Sequence, residues 1–276
     1  DELNAILTHD PMQDKTNGII YAAASNQIAA VISADENPDF SQYPEDIALI
    51  CTNDDLHFLF YDFSKVKSIK FKEGAKAEFV SCENLPQILD FSALSRVNIT
   101  YANLINGSEI IFRPKSFVSL ERVTNLPQKI DVSKCPKASF IDCDLIQVKS
   151  LLCPENGKLH LSSSRNIPAD TDFSVCHFVS LYNSHFQTGK KIAFGKNSQI
   201  NLDYARNLPQ IVDVSQCESV SFKDTETDSA ETIVFSSPAQ MQKSQINPAL
   251  KNKITILNPQ PAPTRMRPDP ASSFSR

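Results

Sequence analysis

An Asn-Leu-Pro or Asn-Ile-Pro tripeptide stands at Asn84-Leu85-Pro86, Asn125-Leu126-Pro127, Asn166-Ile167-Pro168 and Asn207-Leu208-Pro209. The steps 125−84, 166−125 and 207−166 are each 41 residues, with no insertion or deletion between them. Self-similarity at a fixed period of this length marks a solenoid, in which each unit buries its apolar face only by stacking on its neighbours.

Short alternating triplets divide each unit into two coils. One series reads Val97-x-Ile99, Val118-x-Leu120, Ala138-x-Phe140, Leu159-x-Leu161, Val179-x-Leu181, Ile200-x-Leu202 and Val220-x-Phe222, with successive members 20 or 21 residues apart. A second series keeps step with it: Leu89-x-Phe91, Ile110-x-Phe112, Ile130-x-Val132, Leu151-x-Cys153, Ile192-x-Phe194, Val212-x-Val214 and Ile233-x-Phe235. Two strand series per coil predict a β-rich repeat solenoid of about nine coils, with parallel strands in two sheets facing each other across a thin core.

Counting back 41 residues from the first clear unit gives Leu56, Phe58, Phe63, Ile69 and Phe71, all apolar, so residues 46–83 read as a degraded first unit. Residues 1–45 are expected to cap the open end of the core, with the Ala-rich stretch 18–33 forming either a short helix or a strand pair. The solenoid is predicted over 46–238. Residues 239–276 are assigned a C-terminal cap, with a short helix over the last coil, followed by a Pro-rich basic tail expected to be extended and disordered. The chain begins at Asp1, which reads as a processed form or a fragment.

Charge is uneven. Residues 1–60 carry eleven acids against Lys15, residues 237–276 carry six bases against Asp269, and the body between is neutral. A neutral body argues against nucleic acid as partner, since phosphate binding needs a basic stripe. No apolar run is long enough for a membrane-spanning helix. Cys135, Cys176 and Cys217 are 41 apart, in a column whose fourth member is Leu94. Such a column reads as core. With Cys143 and Cys153 it predicts reduced, buried thiols and a reducing compartment. There are six glycines, so turns needing positive φ fall to asparagine, with Asn103, Asn106, Asn156, Asn183 and Asn197 as candidates.

Repeated polar columns offer chemistry that does not survive counting. Asp90, Asp131, Asp172 and Asp213, each with Ser two residues on, occur once per unit, so they read as caps on exposed backbone at a strand end. The Asn of Asn-Leu-Pro likewise reads as satisfying turn backbone. His9, His57, His160, His177 and His185 lack metal-ligand spacing, and there is no glycine-rich phosphate loop or nucleophile elbow. No catalytic residue, cofactor or metal is assigned.

The frame Leu94-x-x-Val97-x-Ile99, repeated at Cys135-x-x-Ala138-x-Phe140, Cys176-x-x-Val179-x-Leu181 and Cys217-x-x-Val220-x-Phe222, resembles the core of leucine-rich repeats. Its Leu-Pro element is similar to that of short bacterial leucine-rich repeats. Where that family keeps Asn, this chain holds Ala102, Cys143, Ser184 and Thr225, and the back of each coil reads as strand rather than helix. The fold expectation is therefore a leucine-rich-repeat-like or a parallel β-solenoid. The resemblance implies a secreted bacterial effector working by protein–protein interaction with a host protein, located in the host cell or the cytoplasm.

The binding face follows from strand alternation. If Val97 and Ile99 face in, Asn98 faces out. The predicted face is Arg96, Asn98, Thr100, Ser119, Glu121, Ser139, His160, Ser180, Tyr182, Asn201, Asp203, Ser221 and Lys223, with His160 and Tyr182 as anchors. The competing readings are a β-helix-type carbohydrate-active enzyme, which needs clustered carboxylates on one sheet face, and a spacer for a further domain.

Overall fold

The computed structural model describes residues 19–24, 27–33, 47–105, 107–226, 228–246 and 248–257. The Pro-rich tail, Asn106 and most of the segment assigned as N-terminal cap lie outside the described residues.

Asp55–Leu59, Lys76–Val80, Arg96–Thr100, Phe117–Glu121, Lys137–Ile141, Lys158–His160, Phe178–Ser180, Gln199–Asn201, Ser219–Phe222 and Gln245–Ile246 form one ten-stranded sheet. Its strands pair in parallel, each with the strand of the next coil. The chain is a parallel β-solenoid, as the triplets predicted. The inward residues of each triplet are buried: Val97, Ile99, Val118, Leu120, Leu159 and Leu161 are at most 2% exposed.

Strand starts at 55, 76, 96, 117, 137, 158, 178, 199 and 219 alternate steps of 21 and 20, whose sum is the 41-residue period. Left-handed backbone explains the alternation. A residue at φ 50–62° follows the long-sheet strand in every coil from Phe60 through Ser81, Tyr101, Arg122, Asp142, Ser163, Asn183 and Tyr204 to Asp224. A non-glycine residue there costs about 1 kcal/mol or more. Inter-coil hydrogen bonds offset that cost. The Tyr101 amide donates to Glu121 O and the Arg122 amide to Ile141 O, both at 2.9 Å, and the column repeats the pattern from Phe60 to Tyr204.

Two further left-handed positions occur in alternate coils only. The 21-residue coils turn into the long sheet at Gly74, Lys115, Asn156 and Asn197, whose amides donate to Ala93, Lys134, Val175 and Gln216 carbonyls of the next coil at 2.7–2.8 Å. The 20-residue coils turn instead at Asn84, Asn125, Asn166 and Asn207, φ 51–56°. These are the Asn of Asn-Leu-Pro, and the expectation that their side chains serve turn backbone needs correction. The backbone takes the strained conformation, while the side-chain Nδ2 groups of Asn84, Asn125 and Asn166 donate to Oδ1 of Asp62, Asn103 and Asp144 one coil back, at 2.7–2.8 Å. Asn103 is thus an acceptor rather than a left-handed residue.

The back of the solenoid is not the single facing sheet that the second triplet series suggested. Ile88–Phe91 pairs with Glu109–Phe112, Lys129–Asp131 with Ser150–Leu152, and Lys191–Ala193, Ile211–Asp213, Thr232–Phe235 and Ile254–Ile256 form a separate ladder. Asp90, Asp131, Asp172 and Asp213 accept from the amides of Ser92, Ser133, Ser174 and Ser215 at 2.9–3.2 Å, which ends these strands after a few residues. The repeated Asp-x-Ser is therefore a cap, as expected from its recurrence. Parallel bridges such as Asp62↔Glu83, Asn103↔Thr124 and Asp144↔Arg165 make a narrow third side.

Of the two options for the Ala-rich stretch, the strand pair is the one observed. Ile19–Ala24 and Gln27–Ser33 form an antiparallel hairpin, and the first of them pairs antiparallel with Ile47–Cys51. At the other end Ser237 caps the helix Pro238–Lys243, and Gln240 Nε2 ties it to the Val214 and Cys217 carbonyls, both at 2.8 Å. Both ladders then resume, through Gln245–Ile246 and Ile254–Ile256.

All seven cysteines are free and buried. In the column where leucine-rich repeats keep Asn, buried polar side chains reach one coil back. Ser164 Oγ donates to Phe140 O at 2.9 Å, Thr225 Oγ1 to Leu202 O at 2.8 Å, Ser184 Oγ to Leu161 O, and the Cys143 thiol to Leu120 O at 3.4 Å. Cys143 is therefore a weak donor as well as a small core residue. Burial pushes the Cys82, Cys143 and Cys217 thiols up to about 11. The folded state holds these protons more tightly than the unfolded chain, whose thiols titrate near 9.0. This contribution is fully present below about pH 9 and is lost as pH rises toward 11. The melting temperature is expected to be level to about pH 8.5, then to fall, and to fall less in Cys143→Ser, which keeps a donor but does not titrate. A level melting temperature up to pH 11 would count against thiol burial as the cause.

Candidate functional site

Strand register gathers the predicted residues onto the outward face of the ten-stranded sheet. Asn98, Ser119, Ser139, His160, Ser180, Asn201 and Ser221 are direct partners in one straight column. Arg96 lies two residues before that column and Thr100 and Glu121 two residues after it, also in register. Tyr182, Asp203 and Lys223 continue the same line just past the shorter strands.

These positions differ in what they can offer a partner. Ser139 and Ser180 are only 6% exposed, so they offer a partner little surface of their own. Asp203 accepts from Ser221 Oγ at 2.5 Å and from the Lys223 amide at 2.8 Å, while Asn201 Oδ1 accepts from the Asp203 amide at 2.8 Å. That end of the face is tied up internally. Tyr182 is 43% exposed and stands edge-on to Tyr204, centroids 5.4 Å apart. The His160 ring lies 5.2 Å from Phe178. Burial, then the neighbouring Lys137 and Lys158 charges, hold the His160 imidazolium below its ordinary range, so the ring is neutral at neutral pH.

The central column also extends to residues the sequence reading passed over. Glu78 is the register partner of Asn98, and His57 of Glu78. His57 Nδ1 sits 2.9 Å from Glu78 Oε2, with its Nε2 3.6 Å from Asp55. Both carboxylates are turned onto one open imidazole. The signal was available, because 41 residues before Asn98 is His57, between the inward Leu56 and Phe58. The line containing Arg96 was also underread. It runs Lys76, Arg96, Phe117, Lys137, Lys158 and Phe178, each the register partner of the next.

The parted back strands leave a second kind of feature. A cleft of about 600 Å³ lies between Glu109–Phe112 and Lys129–Asp131, and another of about 390 Å³ beside Ser150–Leu152. Among the described residues no group of three metal-ligating side chains comes together, and no helix is long and apolar enough to cross a membrane. Comparison of the chain with protein-family models, with curated proteins and with solved structures finds no match, so the leucine-rich-repeat likeness rests on the repeated Leu94-x-x-Val97-x-Ile99 frame and the Leu-Pro element alone.

Proposed function

We propose that the chain is a protein-binding repeat module that engages its partner on the outward face of the ten-stranded sheet. The observation that carries this reading is the register. The inward columns keep apolar residues coil after coil, while the outward column changes from His57 and Glu78 through Asn98 and Ser119 to His160 and Asn201. A surface whose scaffold is fixed and whose outward residues vary along one axis suits an extended partner. The resemblance to short bacterial leucine-rich repeats supports a host protein as that partner, a secreted effector as the setting, and a reducing compartment for the seven thiols.

Affinity capture from eukaryotic lysate tests the reading with three baits: the whole chain, the chain ending at residue 257, and the whole chain carrying His160→Ala and Tyr182→Ala. A partner retained by the shortened chain and reduced at least tenfold by the paired substitution is expected. A partner lost only on shortening would make the tail the ligand and the solenoid a spacer. No capture by any bait would turn attention to carbohydrate.

A further inference from the structure

We infer that the line from Lys76 to Phe178 on the long sheet is a docking track for an extended acidic peptide of the pattern acid-x-apolar-x-acid-x-apolar, which rests on and narrows the protein-binding reading above. Lys76 and Arg96 are direct cross-strand partners, and so are Lys137 and Lys158. Like charges directly opposite one another destabilise a sheet. Among the described residues none of these four cations forms an ion pair, whereas Arg122, Lys134, Lys191 and Arg206 each do. Two in-register cation pairs on a neutral body are a local conflict in the fold that an anionic partner would relieve.

The spacing selects the partner. Strands stack ~4.8 Å apart, so the midpoints of the two cation pairs are three steps, ~14 Å, apart. Phe117 stands midway, ~7 Å from each, and Phe178 lies the same distance beyond the second pair. The track therefore alternates cation pair, aromatic, cation pair, aromatic every ~7 Å. An extended peptide rises ~3.4 Å per residue and repeats its side-chain direction every ~6.8 Å. Laid along the solenoid axis, it sets a carboxylate between each cation pair and an apolar side chain on each ring. Phe117 is 46% exposed and Arg96 leans over it at 5.8 Å. Beside the track Ser119, Ser139 and Ser180 leave room for a backbone. Asp55, the register partner of Lys76 on its other side, lies 3.6 Å from His57 Nε2, Glu78 lies 2.9 Å from His57 Nδ1, and Glu121 lies 3.4 Å from Arg122. Burial first, and then the Lys137 and Lys158 charges of this track, lower the proton affinity of His160.

The test is fluorescence anisotropy on the whole chain with the labelled peptide Glu-Thr-Val-Thr-Glu-Thr-Val, a reordered peptide Glu-Glu-Thr-Thr-Thr-Val-Val, and a single-stranded uridine 20-mer. The first peptide is expected to bind at least fivefold more tightly than the reordered one. Lys137→Glu with Lys158→Glu should weaken it at least tenfold, with an unchanged circular dichroism spectrum. Lys129→Glu with Lys149→Glu, the same charge change on the back, should leave it within twofold. Equal binding of the two peptides, or equal loss with both charge reversals, overturns the inference, as does tighter binding of the uridine 20-mer. If the track reversal has no effect while His160→Ala with Tyr182→Ala still abolishes partner capture, the face binds protein but not in this way. If neither changes anything, the face reading fails as well.

Discussion

Phe79→Ala is expected to lower stability by about 3–5 kcal/mol, the upper range for a core truncation. Phe79 is fully buried and lies against Phe58, stacked at 4.9 Å, and against Phe91, Phe63 and Phe71 at 5.7, 6.1 and 6.4 Å. Such ring pairs add about 0.5–1.5 kcal/mol each beyond the area they bury. The usual relief, collapse of neighbours into the vacated space, is restricted because Phe58 and Phe71 belong to the preceding coil, and the ladder holds Phe58 at strand spacing as the direct register partner of Phe79. In a solenoid each coil is stabilised mainly by its neighbours, so a cavity at one interface also weakens the coupling across it. The measurement is urea unfolding with Ile146→Ala, an exposed site, as the neutral comparison. A loss for Phe79→Ala below about 1.5 kcal/mol would mean that the aromatic stack repacks and that coil spacing is softer than the ladders imply.

What the sequence disclosed follows from which physical signals are periodic. Inward triplets must be apolar in every coil, so Val97 and Ile99, Leu159 and Leu161, and even the degraded Leu56 and Phe58, could be read directly. The Asn-Leu-Pro period was equally plain, yet its cause was not. It reflects two kinds of corner in alternation, and the longer coils mark theirs with Gly74, Lys115, Asn156 and Asn197, a set with no common chemistry. The left-handed column after the long-sheet strand is still less legible. Phe60, Tyr101, Arg122 and Tyr204 are residue types that disfavour positive φ and are held there by the hydrogen bond to the next coil, a tertiary cause invisible to propensity. Thr171 shows the same limit in the core. It fills a slot held elsewhere by Leu, Ile or Val and so dropped out of the second triplet series, yet it is buried with its hydroxyl bonded to Pro168 O at 2.8 Å. On the outward face of the ten-stranded sheet, alternation pointed to the central column from Asn98 to Ser221 but passed over His57 and Glu78, and the reading took Arg96 alone from the line beside it. Lys76, Phe117, Lys137, Lys158 and Phe178 differ in type, and their alignment emerges only from strand register.

Removing residues 125–165 is expected to leave a folded, shorter solenoid, while removing residues 117–136 is expected to prevent cooperative folding, although the second change is half the size of the first. The first deletion joins Thr124 to Asn166 and excises one whole period. Asn166 then meets Asn103, the acceptor that Asn125 uses at 2.7 Å, in place of Asp144 at 2.8 Å. Every left-handed corner still faces the other kind. Solenoid stability is close to a sum over coils and their interfaces, so loss of two turns from a ten-stranded ladder should remove about a fifth of it. The second deletion joins Ser116 to Lys137 and sets two 21-residue coils side by side. The Lys115 amide loses the Lys134 carbonyl that it reaches at 2.8 Å, and two corners of the same kind, Lys115 and Asn156, are forced against one another. The inward columns would remain apolar, so hydrophobic pattern alone predicts that both deletions fold. Urea unfolding followed by circular dichroism separates the two views. A sharp transition for the longer deletion, with a broad, early transition or aggregation for the shorter, is the outcome expected if the folding unit is the pair of coils. Equally sharp transitions for both would reduce the 41-residue period to a record of duplication without structural force.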